Sequence, residues 1–193
     1  MPALDWSRYP VSTASPEIVP GKNIRLRLAR PTDAAFILSL RLDPTRNRFV
    51  STVPDDAELQ AAWLTEYQLR ESQGLEYYFI IERGGGQPAG TVRLYDFQGD
   101  SFCWGSWMMV PDTPPSVAME SALLVYELAF YNLGFCKSHF EVQVQNERVI
   151  AFHKRFGARI THSTALDHFF TYGKEDYEAI RSRFKKFLPD WKR

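Results

Sequence analysis

The sequence predicts one mixed α/β domain of the α+β kind, with about seven strands in a single mixed layer and four or five helices against it. Three observations lead there. A chain of 193 residues that is 45% hydrophobic, 15% aromatic and 24% charged has the make-up of one globular domain, and a compact chain of this size buries ~70% of its unfolded surface. Strand-like and helix-like hydrophobic periods both recur along its length. Trp104 to Gly157 reads as strand, tight joint, long apolar helix, strand and short helix. In units of that order, ligands gather at strand ends and helix N-termini.

Residues 1–22 carry four prolines and read as an N-terminal arm, leaving 23–193 as the domain. Ile24 to Leu28 alternates apolar and basic residues, the pattern of a half-buried strand. Pro31-Thr32-Asp33 opens a first helix, with Thr32 as the expected cap, and Pro44 ends it by disfavouring helical geometry at Asp43. Pro54-Asp55-Asp56 begins a second helix that runs to about Gly74, with Leu59, Trp63, Leu64 and Tyr67 on its apolar stripe. Tyr77 to Arg83 and Ala89 to Tyr95 are two strands joined by Gly84-Gly85-Gly86-Gln87. No helix follows that triple glycine, so it is a hairpin turn and not a phosphate loop. Ser101 to Val110 is the next strand, and the helix after it is apolar on most sides, as a helix buried between layers would be. His139 to Gln145, Ala158 to His162 and His168 to Tyr172 complete the strands, and a basic helix spans Glu175 to Phe187.

Several classes are disfavoured. Lys plus Arg and Asp plus Glu both number 23, so no global field draws the chain to nucleic acid or anionic lipid. The basic C-terminal residues read as a solvated helix face. Cys103 and Cys136 lack metal-ligand spacing and read as buried thiols of a reducing compartment. No uncharged apolar run approaches the ~18 residues of a membrane span, so a cytoplasmic protein without a membrane partner is expected.

Asn146 to Gly157 forms a well-signalled helix, with Asn146 to cap its start, Lys154 and Arg155 near its end and Gly157 for a left-handed exit. Val149, Phe152 and Phe156 make its apolar stripe, and His153 lies beside them. By these residues alone His153 is a boundary residue at a helix edge. The order of elements, together with the pattern N-x-x-V-x-x-F-H-x-x-x-G at Asn146, Val149, Phe152, His153 and Gly157, resembles the GNAT acetyltransferase family. That family's usual run is N-x-x-A-x-x-hydrophobic-Y-x-x-x-G after a strand–helix–strand, and the resemblance covers about Ile24 to Tyr172. It implies a splayed sheet with acetyl-CoA between the fourth and fifth strands. Backbone groups of Met108, Met109 and Val110 would pair with the pantetheine arm, and Asn146 and Phe152 would complete the cofactor side. Ser116, Val117 and Ala118, at the start of the long helix, would receive the pyrophosphate. His153 stands where the family carries the tyrosine that protonates the leaving thiolate. Imidazole, with an unperturbed pKa near 6.5, can do that work.

The joint departs from the family's glycine-rich pattern. Pro111, Pro114 and Pro115 have no N–H, and Asp112 repels phosphate. If Thr113 caps the helix, the prolines fill its first turn and remove two donors; if Ser116 caps it, the following amides stay free. No acid lies between Ser101 and Val110, so the base is unassigned between Glu141, on one face with His139 and Gln143, Asp96, and a water chain serving in place of either. For the acceptor, Arg41 through Ser51 and the Trp63–Leu64 helix resemble enzymes that acetylate nucleotide-linked amino sugars. Arg41, Arg46 and Arg48 would then pair with a diphosphate, and Trp107, Tyr95 or Phe49 would stack on a base or sugar. Alternatively Arg41 caps a helix end and Trp107 is core. A protein N-terminal acetyltransferase and a GNAT-fold binding module without acetyl-CoA are the other two readings. A small-molecule amine is the expected partner, and a homodimer is possible.

Overall fold

The computed structural model describes residues 18–45 and 47–189. Arg46 and most of the N-terminal arm lie outside them. Eight strands form one sheet: β1 (Ile18–Pro20), β2 (Ile24–Leu28), β3 (Tyr77–Arg83), β4 (Gln87–Gln98), β5 (Ser101–Met109), β6 (Lys137–Gln143), β7 (Arg159–Ser163) and β8 (Asp167–Gly173). Five α-helices flank it: α1 (Ala34–Leu42), α2 (Ala57–Ser72), α3 (Pro115–Glu127), α4 (Glu147–Phe156) and α5 (Lys174–Arg181). The strand order is β1-β2-β3-β4-β5-β6-β8-β7, and every neighbouring pair is antiparallel except β5 and β6. The eighth strand, beyond the seven expected, is Ile18–Pro20 at the end of the arm. Three residues with one buried side chain give no readable period, but the strand is secured from elsewhere. The buried carboxylate of Glu120 on α3 accepts from the amides of Lys22 and Asn23 at 2.6 and 2.7 Å, and from the Asn23 side chain at 2.8 Å.

Helices cover both faces. On one, α3 packs a continuous core of Leu26, Phe79, Val92, Phe102, Leu124, Tyr126, Phe130, Phe140, Phe156 and Tyr172. On the other, α1 and α2 pack a smaller core of Ile37, Leu64, Tyr67, Tyr78 and Ile80. The alternation of β3 between these two cores explains why six of its seven residues are buried without a visible two-residue period.

Local signals are mostly obeyed. Asp56 caps α2 by accepting from Glu58 N and Leu59 N at 2.9 and 3.0 Å, and Gly85 turns the β3–β4 hairpin at φ 76°. Gly157 exits α4 at φ 99° as expected. Three details differ. Asp33, not Thr32, precedes α1, because a short 3-10 turn over Pro31–Asp33 comes first and its carboxylate is engaged by Arg27 and the Arg30 amide. Cys136 is exposed, at the turn into β6, while Cys103 is buried. Leu59 is exposed as well, because the face of α2 turned to the sheet is set by Leu64 and Tyr67.

Candidate active site

The parallel pair is the opening in the sheet. β5 and β6 touch only at Ser101↔Lys137 and Phe102↔Ser138. Beyond Phe102 the two strands part, so β5 from Cys103 to Met109 pairs with β4 alone. A bulge centred on Ser106, at φ 47°, bends β5 within this stretch. Its carbonyl is held by the Thr91 hydroxyl at 2.7 Å. A strand edge that leaves backbone donors and acceptors unpaired inside a protein is a template for an extended ligand bearing amides. Met108 and Met109 lie on that edge, and Val110, whose amide bonds to Ala89 O at 2.8 Å, closes it.

The joint settles the capping alternatives differently from either. Neither Thr113 nor Ser116 caps α3; Pro114 occupies the cap position and Pro115 the first turn. Pro114 O accepts from the Val117 amide at 2.9 Å, and Asp112 turns the chain at φ 60°. Two prolines therefore stand where two donors would be, Val117 is engaged, and the Ser116 amide with its hydroxyl leads what remains for an anion. The opened edge of β5 fits a pantetheine arm, while the start of α3 fits a pyrophosphate sparsely.

His153 lies beneath the fork, on the α3 side. Its ring sits 4.2 Å from Phe140 of β6, 5.5 Å from Trp104 of β5, 5.4 Å from Phe152 and 6.0 Å from Phe170, centroid to centroid. Only 5% of the residue is exposed and Nδ1 has no partner among the described residues. Burial alone pushes its pKa down to about 3, so the ring is neutral at physiological pH. Asn146 caps α4 by accepting from the Val149 amide at 3.4 Å. Phe152 stacks at 4.9 Å on Trp107, whose indole N–H donates to Ser121 Oγ at 3.0 Å. Trp107 thus belongs to the α3–α4 face with the aromatic cluster, away from the arginines it was grouped with.

The opposite face carries the titratable groups. Phe140 and Val142 point into the α3 core, so His139, Glu141 and Gln143 turn to the α1–α2 side. His139 Nδ1 lies 2.7 Å from Ser101 Oγ and its Nε2 lies 3.1 Å from Asp96 Oδ2. The hydrogen bond from His139 holds the Asp96 carboxyl below its ordinary pKa. Glu141 is exposed, and its charge reaches Tyr95 and Cys103 on the other side of the opening. The Tyr95 hydroxyl covers Gly105 so closely that a Cβ there would lie 3.0 Å from it.

The arginines divide. Arg48, in the turn after α1, donates to Gln145 Oε1 at 3.3 Å and so links the α1–α2 loop to the end of β6. Arg41 donates from Nη2 to the carbonyl and the hydroxyl of Ser51, each at 2.8 Å. Arg93, passed over in the sequence, stands beside Arg41 at Tyr78: it is the cross-strand partner of Tyr78, and both guanidinium charges act on that phenol. Its guanidinium lies over the rings of Trp63 and Tyr95, 5.2 and 4.9 Å from their centroids. Only the β3–β4 register could reveal this meeting, and the triple-glycine hairpin that fixes the register was legible. Among the described residues no group of three or more His, Cys, Asp or Glu is placed to hold a metal, and no helix is long and apolar enough to cross a membrane.

A mixed sheet forked between two parallel strands, with a helix-borne aromatic cluster below and a charged face above, defines an acyltransferase-type fold. Residues 23–159 match the acetyltransferase (GNAT) domain family, and the chain belongs to it as an N-acetyltransferase. Among solved structures it is similar to FdhC in its apo form, described as a nucleotide-linked sugar GNAT. That match has 40% identity and a TM-score of 0.82, covering 89% of this chain and 98% of that one. A GCN5-related N-acetyltransferase from Brucella melitensis shares the fold at 17% identity and TM-score 0.73, covering 92% and 87% of the two chains. So does the spermidine/spermine N-acetyltransferase SpeG from Vibrio cholerae, at 15% identity and TM-score 0.66, covering 83% and 98%. No curated protein sequence matches the chain.

Proposed function

We propose that the protein transfers an acetyl group from acetyl-CoA to a primary amine of a nucleotide-linked amino sugar. The observation that carries this reading is the two-sided opening between β5 and β6, with an unpaired strand edge and His153 on one side and, on the other, Glu141 with Arg41 and Arg93, whose Nε atoms lack a partner among the described residues. The likeness to FdhC supports the sugar-nucleotide class.

Acetyl-CoA, when bound, supplies an acetyl thioester, whose C–S bond breaks as the C–N bond to the amine forms. Met108 and Met109 would hold its pantetheine arm through their backbone groups, those of Val110 being committed to Ala89 and Thr113; the amides of Ser116 and Ala118 would meet the pyrophosphate, that of Val117 being bonded to Pro114; Asn146 and Phe152 fix α4 against it. Glu141 takes the proton from the acceptor amine, because it stands exposed on the acceptor face of β6, whereas Asp96 is committed to His139. His153 is neutral, so it is not a proton donor of the imidazolium kind; its one ring N–H donates a hydrogen bond to sulfur as negative charge develops there. Arg41 and Arg48 face the acceptor's phosphates; Arg46, expected in the same role, lies outside the described residues. Trp107 supports the cofactor side through Phe152.

Release of free CoA on incubation with amino-sugar nucleotides and with basic N-terminal peptides tests the acceptor. Faster release on the sugar nucleotides is expected, and faster release on peptides would replace the acceptor with a protein N-terminus. The proline-filled start of α3 favours one other reading, a GNAT-fold binding module. Titration calorimetry with acetyl-CoA separates the two: the absence of heat or thermal shift at millimolar cofactor would leave only the binding module.

A further inference from the structure

Most buried polar side chains in a protein find a partner, and each exception asks for an explanation. Three exceptions among the described residues fall at one spot on the acceptor face: Arg41 Nε, Arg93 Nε and the Tyr78 hydroxyl. Tyr78 and Arg93 are directly opposite on β3 and β4, so their side chains share a face. Arg41 and Thr91 lie close enough to act on the phenol, but the Thr91 hydroxyl donates to Ser106 O and neither meets the Tyr78 oxygen with hydrogen-bond geometry. Tyr78 is 2% exposed, which makes its lone hydroxyl a donor with nowhere to turn.

The local charge is out of balance as well. Arg70 and Arg93 share one carboxylate, Glu76, and Arg41 meets no acid among the described residues. Its guanidinium leans instead on two neutral oxygens of Ser51, in a stretch between the turn after α1 and α2 that has no regular structure. Glu76 is itself buried, so it holds Arg93 in place and leaves the surplus charge standing. Trp63, flanked by Arg70 at 5.3 Å and Arg93 at 5.2 Å, stiffens the arrangement. A buried guanidinium Nε–H without an acceptor is costly unless an anion arrives to take it.

We propose that Arg41, Arg93 and the Tyr78 hydroxyl form the anion-receiving floor of the acceptor site, built for the diphosphate of a nucleoside diphosphate. The proposal rests on the acceptor-face reading given above and names the residues that make it selective. A diphosphate presents one anionic group to each guanidinium fork, whereas a single carboxylate would engage one and leave the other uncompensated. Ser51 releases its edge of Arg41 when the phosphate binds. The tyrosine hydroxyl then completes a hydrogen bond that it lacks without the ligand. The Trp63 and Tyr95 rings stay under Arg93 throughout, so the site is preformed on β3 and β4 and only the loop moves.

Calorimetric titration with UDP and with dTDP, each beside its unphosphorylated nucleoside, tests the site on the full chain, with thermal melts run in parallel. The diphosphates are expected to bind at least tenfold more tightly than the nucleosides. Tyr78→Phe is expected to lose about five- to tenfold of that affinity while melting no lower than the wild type, because its hydroxyl has no bond to lose in the free protein. Arg41→Gln is expected to lose more. Equal binding of diphosphate and nucleoside, or wild-type affinity in Tyr78→Phe, would overturn the proposal. The acetyl-transfer reading fails separately. CoA release with free glucosamine as fast as with a nucleotide-linked amino sugar keeps the transfer and removes the diphosphate site. Tight diphosphate binding with no CoA release on any amine keeps the site and removes the transfer.

Discussion

Replacing His153 with phenylalanine tests the description of that side chain as a neutral, caged imidazole. Its pKa falls to about 3 in the folded protein through burial, against an unperturbed ~6.5 in the unfolded chain. Between those values the unfolded state binds a proton that the folded state refuses. Stability from this residue is therefore fully present above pH ~6.5 and is lost as pH falls toward 3. At pH 5 the unfolded group lies ~1.5 pH units below its pKa, and at ~1.36 kcal/mol per unit this is a loss of about 2 kcal/mol relative to pH 7.5. Phenylalanine fills the same aromatic cage of Trp104, Phe140 and Phe170 without titrating. It also removes a buried Nδ1 that has no partner, so its stability at pH 7.5 should equal or exceed that of the wild type. Urea unfolding of both proteins at pH 7.5 and pH 5 reads the double difference, in which His139, His162 and His168 cancel. The variant should lose about 2 kcal/mol less than the wild type on acidification. A double difference under about 0.5 kcal/mol would refute the buried, neutral assignment, since that would be a shift of under ~0.4 units.

Glu141→Gln should lower kcat by about 10²- to 10⁴-fold, the usual worth of a positioned base, while the calorimetric affinity for acetyl-CoA stays put. Retained turnover would transfer the proton to a water chain. Pro115→Ala returns one amide to the first turn of α3. A hydrogen bond to a charged group is worth ~1.5 kcal/mol or more, so CoA should bind about tenfold more tightly, and an unchanged Kd would place the pyrophosphate elsewhere.

Much of the fold was legible because its signals are local. The triple glycine set the β3–β4 hairpin, Asp56 and Asn146 capped their helices, and Gly157 ended α4. The strand–helix–strand–helix order from β5 to α4 carried the family resemblance. What stayed hidden depends on long-range register. Ile18–Pro20 joins the sheet because Glu120, about a hundred residues away, collects the amides of the following turn. Arg93 became visible beside Tyr78 only through the pairing of β3 with β4. The face of Glu141, open in the sequence, was decided by the burial of Phe140 and Val142. The cap of α3 is not legible among hydroxyl residues for a physical reason: Pro114 accepts the Val117 amide through its own carbonyl and needs no side-chain oxygen.

The substitution of histidine for the family tyrosine is easier to accept once the two halves of the reaction are weighed separately. On the proposed mechanism the difficult proton is the one on the amine, because an ammonium group has no lone pair with which to attack. Glu141 stands on the face where that amine would arrive. The leaving thiol, with a pKa of ~8.5 in a Cys-like environment, departs as a thiolate without an obligatory acid. A hydrogen bond that steadies developing charge on sulfur is enough, and a neutral imidazole can supply it as a phenol does. The cage of Trp104, Phe140 and Phe170 that drives the pKa of His153 down also shields its ring from solvent, which strengthens any such bond. A cationic His153 would have to be charged against the burial that disfavours its charged form. The same aromatic burial that removes His153 as an acid therefore makes it serviceable as a donor.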